Sequence, residues 1–118
     1  QRLVRRLCPK CREPDTRPTS ELPSDFPVER MRNMGMTAYR SVGCPACRGN
    51  GYRGRLGIYE LLTSNDEIRE LASRRAPTVE IKKAAIASGM ATLRDDGWNK
   101  VLQGVTSIDE VLRVTKAD

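Results

Sequence analysis

With 118 residues, 38% of them hydrophobic and only 4% aromatic, the chain can form one domain or two small modules around a modest aliphatic core, and a small, aromatic-poor module usually needs a staple. No apolar run reaches the length of a bilayer span, and none has the form of a signal-peptide core. The net charge of +6 is uneven: residues 1–60 carry 12 Lys/Arg against 6 Asp/Glu, whereas residues 61–118 carry 9 of each. A basic half suits nucleic acid, anionic lipid or an acidic partner, against the plain reading of a solvated surface. Its aromatic residues, Phe26, Tyr39, Tyr52 and Tyr59, are too few for base stacking, which argues against nucleic acid.

The chain opens on QRLVRRLC, without an initiator methionine, and this reads as the interior of a longer polypeptide. Cys8-Pro-Lys-Cys11 follows, and the same knuckle returns as Cys44-Pro-Ala-Cys47; no cysteine is left over. Two C-x2-C hooks supply the four soft ligands of a tetrahedral structural zinc site. Pro9 and Pro45 fix φ inside each hook and lack an N–H, so donors to the sulfurs are expected from Lys10, Cys11, Ala46 and Cys47. Zinc is the preferred reading, with rubredoxin-like iron still open on ligand type. A disulfide framework belongs to secreted chains, and a thioredoxin-like pair needs one hook at a strand–helix junction. Four thiolates close the coordination sphere, and a chain without histidine offers a catalytic metal no base.

The 32-residue spacer between Cys11 and Cys44 begins with Pro14, Pro18, Pro23 and Pro27, the signature of a loop. VERMRNMGM, residues 28–36, predicts a short helix whose methionines fill gaps in the core. MTAYRSVG predicts a strand that delivers Cys44. After the second hook, Gly49, Gly51, Gly54 and Gly57 allow tight turns, but no GxxxxGK[ST] phosphate loop is present. RLGIYELL predicts a strand with Leu56, Ile58 and Leu61 inside. Arg53 and Arg55 are candidates for a phosphate or an acidic partner, against the plainer reading of surface.

From residue 64 the pattern becomes helical. Ser64 with Glu67, Thr92 with Asp95 and Ser107 with Glu110 read as capping boxes, and Thr78 as a further cap after Ala76-Pro77. The predicted inner faces are Ile68, Leu71 and Ala72; Ile81, Ala84 and Ala85; Leu93, Trp98, Val101 and Leu102; and Ile108, Val111 and Leu112. Gly89 and Gly104 read as stops, and Trp98 as a core anchor.

QRLVRRLCPKC, then GCPACRGNGYRGRLGIYELL, then TLRDDGWNKVLQGVTSIDEVLRVT resemble, in that order, the C-terminal part of the secretion ATPase E family, the motors of type II secretion and type IV pilus assembly. The resemblance covers nearly the whole chain except the proline-rich spacer. It implies that Cys8, Cys11, Cys44 and Cys47 are metal ligands of a module inserted late in a RecA-like ATPase domain. RLGIYELL would return the chain to that domain's sheet. It further implies a hexameric ATP-hydrolysing parent, cytoplasmic and peripheral to the bacterial inner membrane, with a polytopic inner-membrane platform protein and a membrane-linked cytoplasmic protein as partners. Walker A, Walker B and the catalytic glutamate motif are absent from these residues, so no catalytic or nucleotide-binding residue is assigned, and ATP with Mg2+ belongs to the parent alone. CPACRGNG also fits the CxxCxGxG repeat of DnaJ-type chaperones, but CPKCREPD does not.

The expected fold class is α+β: a small zinc-stapled module of two CPxC knuckles and short strands, then a strand and a bundle of about four short helices. The expected division is residues 1–52 for the tetracysteine module and residues 53–118 for the strand and C-terminal helices. The first part, poor in periodic apolar pattern, is expected to depend on the metal more than the helices do. Type II secretion is the first functional reading; the alternatives are type IV pilus assembly and a zinc-ribbon nucleic-acid binder.

Overall fold

The computed structural model describes residues 1–62 and 64–115. The fold mixes short strands with helices, as expected. Strand β1 (Arg2–Leu7) pairs antiparallel with β4 (Tyr52–Ile58), Val4 opposite Leu56 and Arg5 opposite Arg55, with an irregularity between Arg5 and Leu7. Two-residue strands β2 (Glu13–Pro14) and β3 (Tyr39–Arg40) form a second antiparallel pair. Between them lies α1 (Val28–Asn33). The chain then runs through α2 (Asp66–Ser73), α3 (Thr78–Ala87), α4 (Leu93–Leu102) and α5 (Ile108–Val114).

Two cores share no residue. The larger joins Phe26 and Ala38 of the spacer to Trp98, Val101, Leu102, Ile108 and Val111 of α4 and α5. Leu22, Val28, Met31 and Met36 pack against it, so the spacer supplies part of a core shared with the last two helices. Phe26 meets the Trp98 ring edge-on at 5.3 Å, and Asp25 accepts the Trp98 indole N–H at 3.0 Å. The smaller core joins Ile68 of α2 to Ala84 and Ala85 of α3, with Leu71, Ile81 and Met90 beside it. Val4 and Ile58 are fully buried between the β1–β4 ribbon and the helices.

Several sequence expectations shift by one residue or one face. Asn65, not Ser64, caps α2, its side chain accepting from Ile68 N–H at 2.8 Å. Pro77 precedes α3, and no side chain caps that helix. Thr92 and Asp95 form the capping box on α4 as expected. Ser107 caps α5, but the Glu110 carboxylate turns away from that cap. The strand expected over residues 36–43 shortens to β3, because its backbone pairs only with the two residues of β2. Leu61, 78% exposed, lies past the end of β4, and Ala72 and Leu112 face outward.

Candidate metal centre

Each hook is a tight turn of backbone that leaves two sulfurs on one side. In the first, the N–H groups of Cys11 and Arg12 bond to the Cys8 carbonyl. In the second, Pro45–Cys47 is a single 3-10 turn, closed by Cys47 and Gly49 N–H on the Cys44 carbonyl. The hooks meet because β1 runs straight into Cys8 while Gly51, at the mouth of β4, accepts the Cys8 N–H at 2.9 Å. The ribbon register therefore sets the position of one hook against the other.

All four cysteines are free of disulfides, and their sulfurs lie within 4.8 Å of one another. Three separations, Cys8–Cys44, Cys11–Cys47 and Cys44–Cys47, are 3.8 Å. A regular tetrahedron of that edge has its centre about 2.3 Å from each corner, the length of a metal–thiolate bond. The donor set thus fits a four-coordinate metal, and the cluster can hold one. Cys8 and Cys47 are buried, Cys11 and Cys44 half-buried.

The N–H groups aimed at the sulfurs come from Gly43 to Cys11 at 3.4 Å, Cys44 to Cys47 at 3.2 Å and Gly51 to Cys47 at 3.1 Å. Gly43 and Gly51 were missed in the sequence, which pointed inside the hooks to Lys10, Cys11, Ala46 and Cys47; of these four, Cys47 turns its N–H to the Cys44 side chain. The signal was present in the glycines flanking the second hook. Gly43 and Gly51 have φ of +112° and +86°, and a Cβ there would lie 2.6 Å from Gly49 O and from Ser41 Cβ. Desolvation opposes the Cys47 thiolate, but the N–H groups of Cys44 and Gly51 outweigh it and hold its pKa down to about 6. Cys11 is pushed up to about 11 by desolvation and by the neighbouring sulfurs, against the single donor from Gly43. The thiolate is thus favoured at Cys47, while a metal would have to displace a proton from Cys11.

A second polar cluster anchors the ribbon that carries the first hook. Glu110 is 1% exposed. It accepts the Arg5 backbone N–H at 2.7 Å, the Arg5 guanidinium at 3.0 Å and the Arg113 guanidinium at 2.7 and 2.8 Å. Burial opposes the charge, yet these two arginines hold its pKa down to about 2. Thr106 donates to the Arg5 carbonyl and Leu7 N–H to the Val105 carbonyl, so the α4–α5 loop covers the outer edge of β1. Tyr52 and Ser107 share a hydroxyl hydrogen bond at 2.6 Å.

Among the described residues, no helix is long and apolar enough to cross a membrane. The sequence pattern of the family described as "Type II/IV secretion system protein" matches residues 1–113. The chain is 42% identical to the type IV pilus assembly ATPase PilB of Thermus thermophilus over 98% of its own length and 13% of that protein's. It is also 42% identical to the type II secretion system ATPase E of Vibrio cholerae, over 98% of this chain and 22% of that protein. A third relative, the type II secretion system protein E of Pseudomonas aeruginosa, is 42% identical over 100% of this chain and 23% of its own length. The chain therefore spans under a quarter of these relatives and belongs to the type II/IV secretion system protein family.

Proposed function

We propose that this chain is the zinc-holding part of a hexameric secretion ATPase, with a structural and adaptor-like role toward other components of the machinery. The observation that carries the reading is the cluster of four sulfurs at tetrahedral spacing in a chain of this family. Zn2+, one per chain and held by Cys8, Cys11, Cys44 and Cys47, is the metal of choice, since two C-x2-C hooks are a structural zinc ligand set. ATP and Mg2+ belong to the longer protein, and no residue here is given a catalytic role. The partners are the inner-membrane platform protein and a membrane-linked cytoplasmic protein, which hold the motor at the inner membrane. Residues 1–52 act as the metal module and residues 53–118 complete the ATPase domain.

Type II secretion is the system preferred, for pseudopilus assembly. Equal identity to the Thermus pilus ATPase and to the Vibrio secretion ATPase supports the pilus reading as well. Elemental analysis of the purified chain, with Cys44→Ser introduced into the full-length protein of the same organism, tests the proposal. One zinc per chain and a loss of secretion or piliation at normal ATP-site occupancy is expected. Iron in place of zinc, or secretion and piliation both unaffected by Cys44→Ser, would sink it.

A further inference from the structure

Two surface clefts of about 560 Å³ each differ in how their positive charges are matched. One, between α3, the start of α4 and the start of β1, is lined by Arg2, Lys82 and Arg94 but also by Asp25, Glu60 and Asp95. There Arg94 lies 2.6 Å from Asp25 and Lys82 lies 3.7 Å from Glu60, so the cleft carries its own anions. The other lies where β1 enters the first hook. Arg6, Arg12 and Arg53 line it beside Pro9, Gly54 and Gly104, and among the described residues no carboxylate stands on its wall.

These arginines are differently held. Arg12 donates to the Gly104 carbonyl at 2.5 Å and lies 4.2 Å over the Tyr39 ring, which fixes one wall. Arg6 and Arg53 are exposed, and their side chains make no hydrogen bond or ion pair among the described residues. The side chain of Arg6 passes over the bare backbone of Gly54. Among the described residues no arginine bonds a sulfur of the cysteine cluster, whose donors include the N–H groups of Gly43, Cys44 and Gly51. The cleft therefore presents the open guanidinium forks of Arg6 and Arg53 beside the held guanidinium of Arg12, with no matching anion among the described residues.

Guanidinium forks suit carboxylate and phosphate alike. Single-stranded nucleic acid needs open aromatic faces, but Arg12 covers Tyr39 and Arg5 covers Tyr52. A lipid surface needs apolar side chains to insert, and none of the exposed large hydrophobic residues lines this cleft. A cleft of about 560 Å³ is wide for one phosphate and suits several carboxylates spaced along a chain. We infer that the Arg6–Arg12–Arg53 cleft is the docking site for an Asp/Glu-rich segment of a protein partner. The inference rests on the adaptor reading above and names its contact surface.

The test is fluorescence anisotropy of a labelled peptide of alternating Glu and Gly with the metal-loaded chain. The Arg6→Glu/Arg53→Glu double variant is expected to weaken binding by about tenfold or more. Lys83→Glu with Lys100→Glu changes the net charge equally, away from the cleft, and is expected to leave affinity within about twofold. The cleft is overturned if the arginine variant keeps its metal and binds as before, or if the lysine variant weakens binding as much. It is equally overturned if inorganic phosphate, phosphatidylglycerol vesicles or single-stranded DNA binds more tightly than the peptide. A chain that holds no zinc fails the functional reading whatever the arginines do; a metal-replete chain indifferent to the arginine changes fails the cleft alone.

Discussion

The α2–α3 hairpin and the rest of the molecule solve the same problem, a shortage of apolar residues, by different means. The hairpin buries Ile68, Ala84 and Ala85, while Val79 and Ile86 remain outside at 64% and 45% exposure. It has no staple and relies on local helix contacts. In the remainder, the body of the molecule, Trp98 sits at the centre of a core assembled from segments far apart in sequence, and three long-range polar devices close it. These are the cysteine cluster, the Glu110–Arg5–Arg113 group and the Asp25–Trp98 hydrogen bond. The difference teaches where stability must be long-range. Loop closure over such separations carries an entropic cost that local helices avoid, and a metal held by the four cysteines would offset it.

Metal removal is the largest expected effect. Binding worth on the order of 10 kcal/mol in a zinc-finger setting should be lost from the body and not from the hairpin. Leu7 N–H bonds Val105, and Arg12 bonds Gly104, so loosening should spread from the hooks into the α4–α5 loop. Chelation, or Cys44→Ser, is expected to abolish hydrogen-exchange protection in residues 2–52 and 104–107 while α2 and α3 keep theirs. Uniform loss across all five helices would show one cooperative unit and remove the distinction between the two regions.

Core truncation comes next. Trp98→Ala should cost about 3–5 kcal/mol and Ile68→Ala about 2–5 kcal/mol. The two variants should differ more sharply in their effect on the metal. Trp98 is packed on Phe26 of the spacer, so its loss should also weaken metal binding, whereas Ile68→Ala should leave metal affinity unchanged. A zinc titration on both variants decides; equal weakening would mean that the hairpin supports the hooks.

The hairpin was more legible in the sequence than the body was, and for the same physical reason. Ile68, Leu71, Ile81, Ala84 and Ala85 repeat at helical spacing, so their burial follows from local periodicity. The convergence of the two hooks was legible too, because the spacing inside each hook is itself local. The features hidden from the sequence were long-range. Nothing near Phe26 in the proline-rich spacer announces that it packs on Trp98, and Glu110 reads as a capping residue until Arg5 is brought beside it. QRLVRRLC showed no alternation that marks a strand; its arginines are accommodated because Arg5 pairs with Glu110 while Arg6 stays exposed. The one-residue error at Ser64 is of another kind: Ser and Asn are comparable caps, and only backbone geometry selects Asn65.

Acid should act on the body before the hairpin. Glu110 has its pKa lowered from 4.5 to about 2, so its ion group stabilises the fold fully above about pH 4.5 and loses that contribution as pH falls toward 2. Glu110→Gln should remove that part of the acid sensitivity and cost about 1–2 kcal/mol at neutral pH, because the buried side chain loses charge-assisted hydrogen bonds to two partly exposed arginines. Circular dichroism of both proteins against pH, at fixed denaturant, measures this. Parallel acid curves would place the sensitivity elsewhere.

The smallest effect isolates the hairpin from the body. Asn65 satisfies the Ile68 N–H at the start of α2, and its amide also donates to Ser88 at the end of α3. One side chain therefore ties the hairpin's opening to its close. Asn65→Ala should cost about 1 kcal/mol, typical of a lost N-cap, and Ser64→Ala close to nothing. Because the hairpin core shares no residue with the core around Trp98, that cost should appear as faster exchange in α2 and α3 alone. Metal affinity and exchange in α4 and α5 should not move. Faster exchange in α4 after Asn65→Ala would mean that the contacts of Glu60 with Lys82 and with Leu93 N–H transmit strain between the two regions. The hairpin would then be a coupled arm of the body rather than a unit of its own.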